Sequence, residues 1–179
     1  GITYVEKDGN DAPATTEVTL TVAKAERTLN FTAPNATYDG EAYDDLTITD
    51  EPGGTIIQYK KQGADDSTYD TAAPKNVGSY TVKINVDADD NYEDKYFTAD
   101  FTISPREVAI YGVKAADKAY DGSTAATITG EATLSANYDG DNLSVVEGKA
   151  TFADKNVGTA KTVTFTEFEL TGSAKDNYK

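Results

Sequence analysis

The clearest periodic stretch begins at Tyr80. Tyr80, Val82, Ile84 and Val86 are apolar, and Thr81, Lys83, Asn85 and Asp87 between them are polar. Successive side chains of an extended chain point to opposite sides, so this alternation predicts a strand with one face on a core and the other in water. The pattern recurs in both directions. Val18, Leu20 and Val22 alternate with Thr19, Thr21 and Ala23, and Leu29 with Phe31 follows. Leu46 and Ile48 sit among threonines, 56–60 reads as a strand, and Phe97, Ala99, Phe101 and Ile103 alternate with polar residues. The strands at 79–87 and 97–103 are expected to form a hairpin. Further strands are predicted around Ile2 to Val5, Val108 and Ile110, Ala126 and Ile128, within 143–152, at Val163 and Phe165, and at Phe168 and Leu170. No stretch of about 12 residues or more has the apolar spacing of an amphipathic helix.

Between these runs lie Asp8-Gly9, Asp39-Gly40, Pro52-Gly53-Gly54 and Asp121-Gly122, all turn sequences. Gly78, just before the clearest strand, is placed to set the turn into it. Many short strands of Thr, Val, Tyr, Ile and Phe separated by turns predict an all-β chain of sandwich-like or barrel-like units.

An internal repeat divides the chain. The triplet YDG starts at Tyr38 and again at Tyr120, KNVG at Lys75 and again at Lys155, and DNY at Asp90 and again at Asp176. The three signatures keep their order and nearly one spacing. A period of about 80 residues is too long for a solenoid repeat and suits small tandem domains. VTLTVAKAERTL from Val18 resembles ADFTISPREVAI from Ala99, at the same spacing. The expected division is therefore 1–24, closing strand or strands of a preceding repeat; 25–104, a first β repeat domain; and 105–179, a second that lacks its final strand. With Pro105 restricting a linker of few residues, the two domains are expected to lie end to end.

DKAYDGSTAATITG, ATFADKNVGTAKTV and KDNYK in the second repeat resemble the YDG-type repeat domains of large bacterial surface proteins. YDG, APKNVGSYTVKI and DNYEDKYFTADFTI in the first resemble the related MBG-type or bacterial Ig-like repeats. The resemblance implies two tandem β-sandwich-like domains, an extracellular place on a bacterial cell surface, and a non-enzymatic spacer, stalk or adhesion role. It carries no catalytic residues over. Partners are expected among host or environmental glycans or proteins and neighbouring repeats. Two other readings stand beside it: a carbohydrate- or mucin-binding module, and accessory domains of a larger surface hydrolase.

Composition narrows the chemistry. With 31 acidic and 16 basic residues the formal net charge is −15. Nucleic acids and anionic membrane surfaces would be repelled, and no apolar run approaches the ~20 residues of a membrane-spanning helix. There is no signal peptide to recognise, and Gly1 has the look of a cloning remnant. Cys and His are absent, so thiolate catalysis, histidine triads and the usual zinc sites have no ligands here. Paired carboxylates could serve glycoside hydrolysis, yet chance pairs are abundant and no aromatic-lined cleft is evident, so no catalytic residue is assigned. No cofactor is expected.

Calcium is the one metal considered, because hard cations take irregular oxygen sets. Its weak candidates are Asp87, Asp89 and Asp90 in one turn and Asp139 and Asp141 in another, with a further oxygen-rich turn at 8–11. None fits the EF-hand loop, since the sixth position from Asp87 is Tyr92 where that loop needs Gly. Ordinary turn chemistry accounts for the same residues. Tyr38, Tyr92, Tyr120 and Tyr178 recur at repeat positions and are expected to be buried rings with their hydroxyls on backbone, in preference to sugar-stacking platforms. Lys75 and Lys155 read as turn residues. Finally, an open edge in the second repeat and the unpaired strand at 18–22 predict head-to-tail self-association by strand donation.

Overall fold

The computed structural model describes residues 19–138 and 140–179. The expected strand near Ile2, the turn at 8–11, Val18 and the calcium candidate Asp139 lie outside the described residues. The chain is all-β, and two 3-10 turns (Asp66–Thr68 and Lys175–Asn177) are the only helical elements among the described residues.

Residues 25–104 contribute β1 (Asn30–Thr32), β2 (Ala36–Thr37), β3 (Thr47–Thr49), β4 (Thr55–Lys61), β5 (Gly78–Val86) and β6 (Lys95–Ser104). One sheet has the order β2-β6-β5-β4, with β5 antiparallel to both neighbours and β2 parallel to β6. The predicted hairpin is β5–β6, in register Tyr80↔Phe101, Val82↔Ala99 and Ile84↔Phe97. Alternation along β5 sorts the side chains as expected: Tyr80, Val82, Ile84 and Val86 are buried. On the opposite face, Thr81 Oγ1 donates to Asp100 and Asn85 Nδ2 to Gln58. Burying each large apolar side chain contributes about 1.5–3 kcal/mol, so the four inward residues of β5 are a main source of stability. Phe101 stacks on Tyr43 with ring centroids 3.9 Å apart, and β1 closes the other side through Phe31 against Phe97.

Gly78 opens β5 instead of forming a turn before it. An added Cβ there would lie 3.2 Å from the ring of Tyr80, whose hydroxyl donates to the Asn76 carbonyl. The glycine thus leaves room for a ring folded back over the KNVG segment.

The remaining strands are shorter: β7 (Ile110–Tyr111), β8 (Lys114–Ala115), β9 (Ala125–Ala126), β10 (Ile128–Thr129), β11 (Thr133–Leu134), β12 (Ser144–Val146), β13 (Lys149–Phe152), β14 (Val163–Thr166) and β15 (Glu169–Thr171). They form one three-stranded sheet, β14-β13-β9, and two-stranded ladders β8–β10, β7–β11 and β12–β15. Few fully buried residues lie here, among them Leu143 and Ala150. Thr-rich strands of two to four residues expose most of their surface, and open ladders result.

Two isolated bridges occupy corresponding places. Ala25 pairs in parallel with Tyr92, and Arg106 pairs in parallel with Tyr178. In each, the DNY segment lies alongside the residues just past the segment of type TLTV or FTIS. Of the strand expected at 18–22, the described residues 19–22 belong to no strand, and Leu20 and Val22 are 82% and 94% exposed. Its alternation is real, but an isolated apolar strand with no partner leaves its backbone groups to water, so the pattern alone does not make a strand.

Candidate functional site

Where the two KNVG-bearing halves of the sequence meet, polar and aromatic groups converge. Tyr38 leaves β2 on a backbone bond from its N–H to the Ser104 carbonyl, and its side chain is 1% exposed. The hydroxyl reaches the carboxylate of Asp141, at 2.7 Å from Oδ1 and 2.9 Å from Oδ2. Tyr178 also donates to Asp141 Oδ2 and accepts from the N–H of Tyr138. Asp141 is buried at 6% exposure. A carboxylate is acceptor-only when ionised, and two phenol donors satisfy it where water is excluded. The rings meet edge to face, Tyr38 against Tyr178 at 5.4 Å and against Tyr138 at 5.9 Å, the arrangement the ring quadrupoles favour. Burial raises both hydroxyls above the ordinary tyrosine range, and the hydrogen bond to Asp141 raises them further.

Gly40, the third residue of YDG, has φ +87, and a Cβ there would stand 2.9 Å from the Cβ of Tyr138. Only glycine offers both the backbone conformation and the close approach. Asn177 lies beside this cluster, 7% exposed. Its Oδ1 accepts the N–H of Val77 at 2.9 Å, and its Nδ2 donates to Asn76 Oδ1 at 3.0 Å. The YDG segment at 38–40 and the KNVG segment at 75–78 are therefore held by the turn around Asp141 and by the DNY segment at 176–178.

The repeated tyrosines separate by position. Tyr38 and Tyr178 are buried, as expected, but both hydroxyls go to a carboxylate in place of backbone. Tyr92 and Tyr120 are 40% and 65% exposed, so the expectation of four buried rings is corrected. Among the described residues Tyr92 is covered on one face by the Arg27 guanidinium, whereas Tyr120 stands largely in solvent. The sequence places Asp141 in an oxygen-rich turn and gives no sign there of its phenol partners. The recurrence of tyrosine at YDG and DNY is the signal that points to them.

The other candidate aspartates are dispersed. Asp89 is paired with Arg27 at 2.6 Å and accepts the N–H groups of Asn91 and Tyr92; these bonds, Arg27 first, hold its carboxyl below the usual range. Arg27 also sits over the Tyr92 ring at 4.9 Å. Asp87 and Asp90 are exposed. Among the described residues no three carboxylates converge on a point that could hold a metal ion. Lys75 and Lys155 are exposed loop residues.

A second feature lies at the YDG segment at 120–122 and the KNVG segment at 155–158. Lys118 Nζ donates to Asp121 at 2.9 Å, and Lys161 pairs with Asp154. With the Lys118 bond and then the Ser123 N–H, the Asp121 carboxyl is held at about 2. Between the two loops is a cavity of about 570 Å³ bounded by Ala116, Tyr120, Phe152 and Val157. Compared with known proteins, no curated protein and no solved structure matches this chain significantly. A family model described as YDG domain matches residues 104–179. That stretch, with its DKAYDG, DKNVG and DNYK segments and its half of the tyrosine–aspartate cluster, is a YDG domain.

Proposed function

We propose that this chain is a non-enzymatic structural repeat, a spacer or adhesion module, of a bacterial cell-surface protein. In this reading 25–104 and 105–179 are tandem β-sandwich-like domains lying end to end, and residues up to 24 belong to a preceding unit. The observation that carries it is the buried Tyr38–Asp141–Tyr178 cluster, which ties residues far apart in sequence into one joint. A stalk needs such a joint, because linked small domains otherwise bend freely. The equivalent bridges Ala25↔Tyr92 and Arg106↔Tyr178 support the repeat itself. Small-angle scattering on the purified chain tests this reading: an elongated particle about two small domains long is expected, and a compact globule of one-domain diameter would sink it.

The exposed rings of Tyr96 and Tyr120 favour a second reading, glycan binding. Binding on a glycan array that is lost in Tyr96→Ala or Tyr120→Ala would establish it. A role as accessory domains of a larger surface hydrolase rests on the resemblance alone.

A further inference from the structure

We propose that two copies of this chain join head to tail, repeating between molecules the joint that the chain makes within itself. The proposal rests on the tandem-repeat reading above. Inside the chain the joint has two parts. The strand β6 fills the place between β2 and β5, with Ile103 opposite Ala36 on one side and Gly78 on the other, and Phe101 and Ile103 are buried. The Asn177-Tyr178 step then covers Tyr38 and Val77.

Each part has an unfilled counterpart. Leu20 and Val22 match Phe101 and Ile103 in segments of the same pattern, and are almost fully exposed. Asn91 and Tyr92, which match Asn177 and Tyr178 in the DNY repeat, are also exposed. At the far end, β14 follows the second KNVG as β5 follows the first, yet among the described residues it pairs only with β13. The groove beside it has a volume of about 570 Å³. Its counterpart, where Ile103 lies against Ala36 and Tyr43, is reduced to about 20 Å³. Tyr120 is 65% exposed where Tyr38 is 1%, and Val157 is 87% exposed where Val77 is half-buried. A Cβ at Gly122 would meet nothing within 4 Å, whereas one at Gly40 would strike Tyr138.

Among the described residues, one part of the chain thus carries an apolar segment and an Asn-Tyr step that cover nothing, and another a groove and a YDG–KNVG face that nothing covers. Residues 19–24 of a second copy add to the free edge of β14, and its Asn91-Tyr92 step seats on Tyr120 and Val157. Strand addition to an unpaired edge supplies backbone hydrogen bonds, and the alternate side chains supply the fit. Because the two surfaces differ, the contact does not close on itself and builds open rows.

Analytical ultracentrifugation of the full chain at ~0.15 M salt tests this, where surface repulsion is screened beyond ~8 Å. The variants are Leu20→Asp with Val22→Asp, and separately Val157→Asp, all at exposed positions where folding does not depend on the side chain. The chain is expected to form a concentration-dependent ladder of dimers and higher species. Each variant is expected to be monomeric, and their mixture is expected to restore dimers and stop there. A chain monomeric up to about 1 mM, the range of the weakest specific contacts, overturns the proposal. So does a ladder that both variants retain, or a mixture that stays monomeric. Hydrogen exchange at the Val77 amide separates this failure from failure of the reading beneath it. A protected Val77 in a chain that does not associate sinks the contact between copies alone, whereas an unprotected Val77 removes the internal joint as well.

Discussion

At the scale of residues, Asp141 is the group most dependent on its neighbours. Removing one phenol leaves a buried carboxylate with half its donors, and a hydrogen bond to a charged group contributes about 1.5–3 kcal/mol. Tyr38→Phe is expected to lower the unfolding free energy by about that amount in urea denaturation at pH 7. The same tyrosines set an alkaline limit. Because Tyr38 and Tyr178 titrate above the ordinary value of 10.0, the folded state holds its protons more tightly than the unfolded chain. Their contribution is complete below pH 10 and is lost as pH rises through the raised values. Tyr43, pushed up to about 12 by burial with Asp45 and Tyr59 adding, acts in the same direction between about pH 10 and 12. Denaturation midpoints are therefore expected to fall steeply above pH 10, and less steeply in Tyr38→Phe. An unchanged slope would mean that Tyr38 does not titrate with folding. Asp121 offers an acid-side counterpart: its carboxyl titrates at about 2, and Lys118→Ala is expected to return it towards 3.8 in an NMR titration.

At the scale of elements, β5 is the strand on which the sheet is centred. It is flanked on both sides, and Ile84 is fully buried opposite Ile57 and Phe97. Ile84→Ala is expected to cost about 2–5 kcal/mol, from lost transfer energy and the cavity left behind, as read from the urea midpoint. The alternation along 80–86 and 97–103 makes this hairpin legible in the sequence, because a period of two on a half-buried strand has one solution. The same alternation at 18–22 misleads. Leu20 and Val22 have the right pattern, but a strand forms only when a neighbour accepts its N–H and C=O groups, and that neighbour is a property of the fold. The many two-residue strands after residue 109 are legible only as a Thr-rich, turn-rich region. Their ladders join residues well separated along the chain, such as Ile128 with Ala115 and Thr133 with Tyr111, in Thr- and Ala-rich sequence with little contrast between faces.

At the scale of the whole molecule, Asn177 couples the C-terminal DNY segment to the KNVG segment at 75–78, about a hundred residues earlier in the chain. Asn177→Ala removes both the acceptor of the Val77 N–H and the donor to Asn76. Amide exchange at Val77 is expected to quicken by about fivefold or more, the factor for one ordinary hydrogen bond, while Val82 and Ile84 exchange unchanged. Uniform acceleration across β5 would show that Asn177 supports the whole sheet and not the joint.

Local periodicity determined the all-β class, the β5–β6 hairpin and the recurrence of YDG, KNVG and DNY, because each depends on residues close in sequence or on identity at a fixed spacing. Tertiary structure alone decided which copies of those motifs are covered. Tyr38 and Tyr120 occupy the same place in the same triplet, yet one is buried against Asp141 and the other faces solvent. The difference lies in what stands opposite, which for Tyr38 is a carboxylate 103 residues further along the chain, and no pattern within the triplet encodes it. Asp141 reads as a turn residue or a calcium ligand for the same reason: a carboxylate's partners are set by the surfaces that fold around it, and here those are two phenols from distant turns.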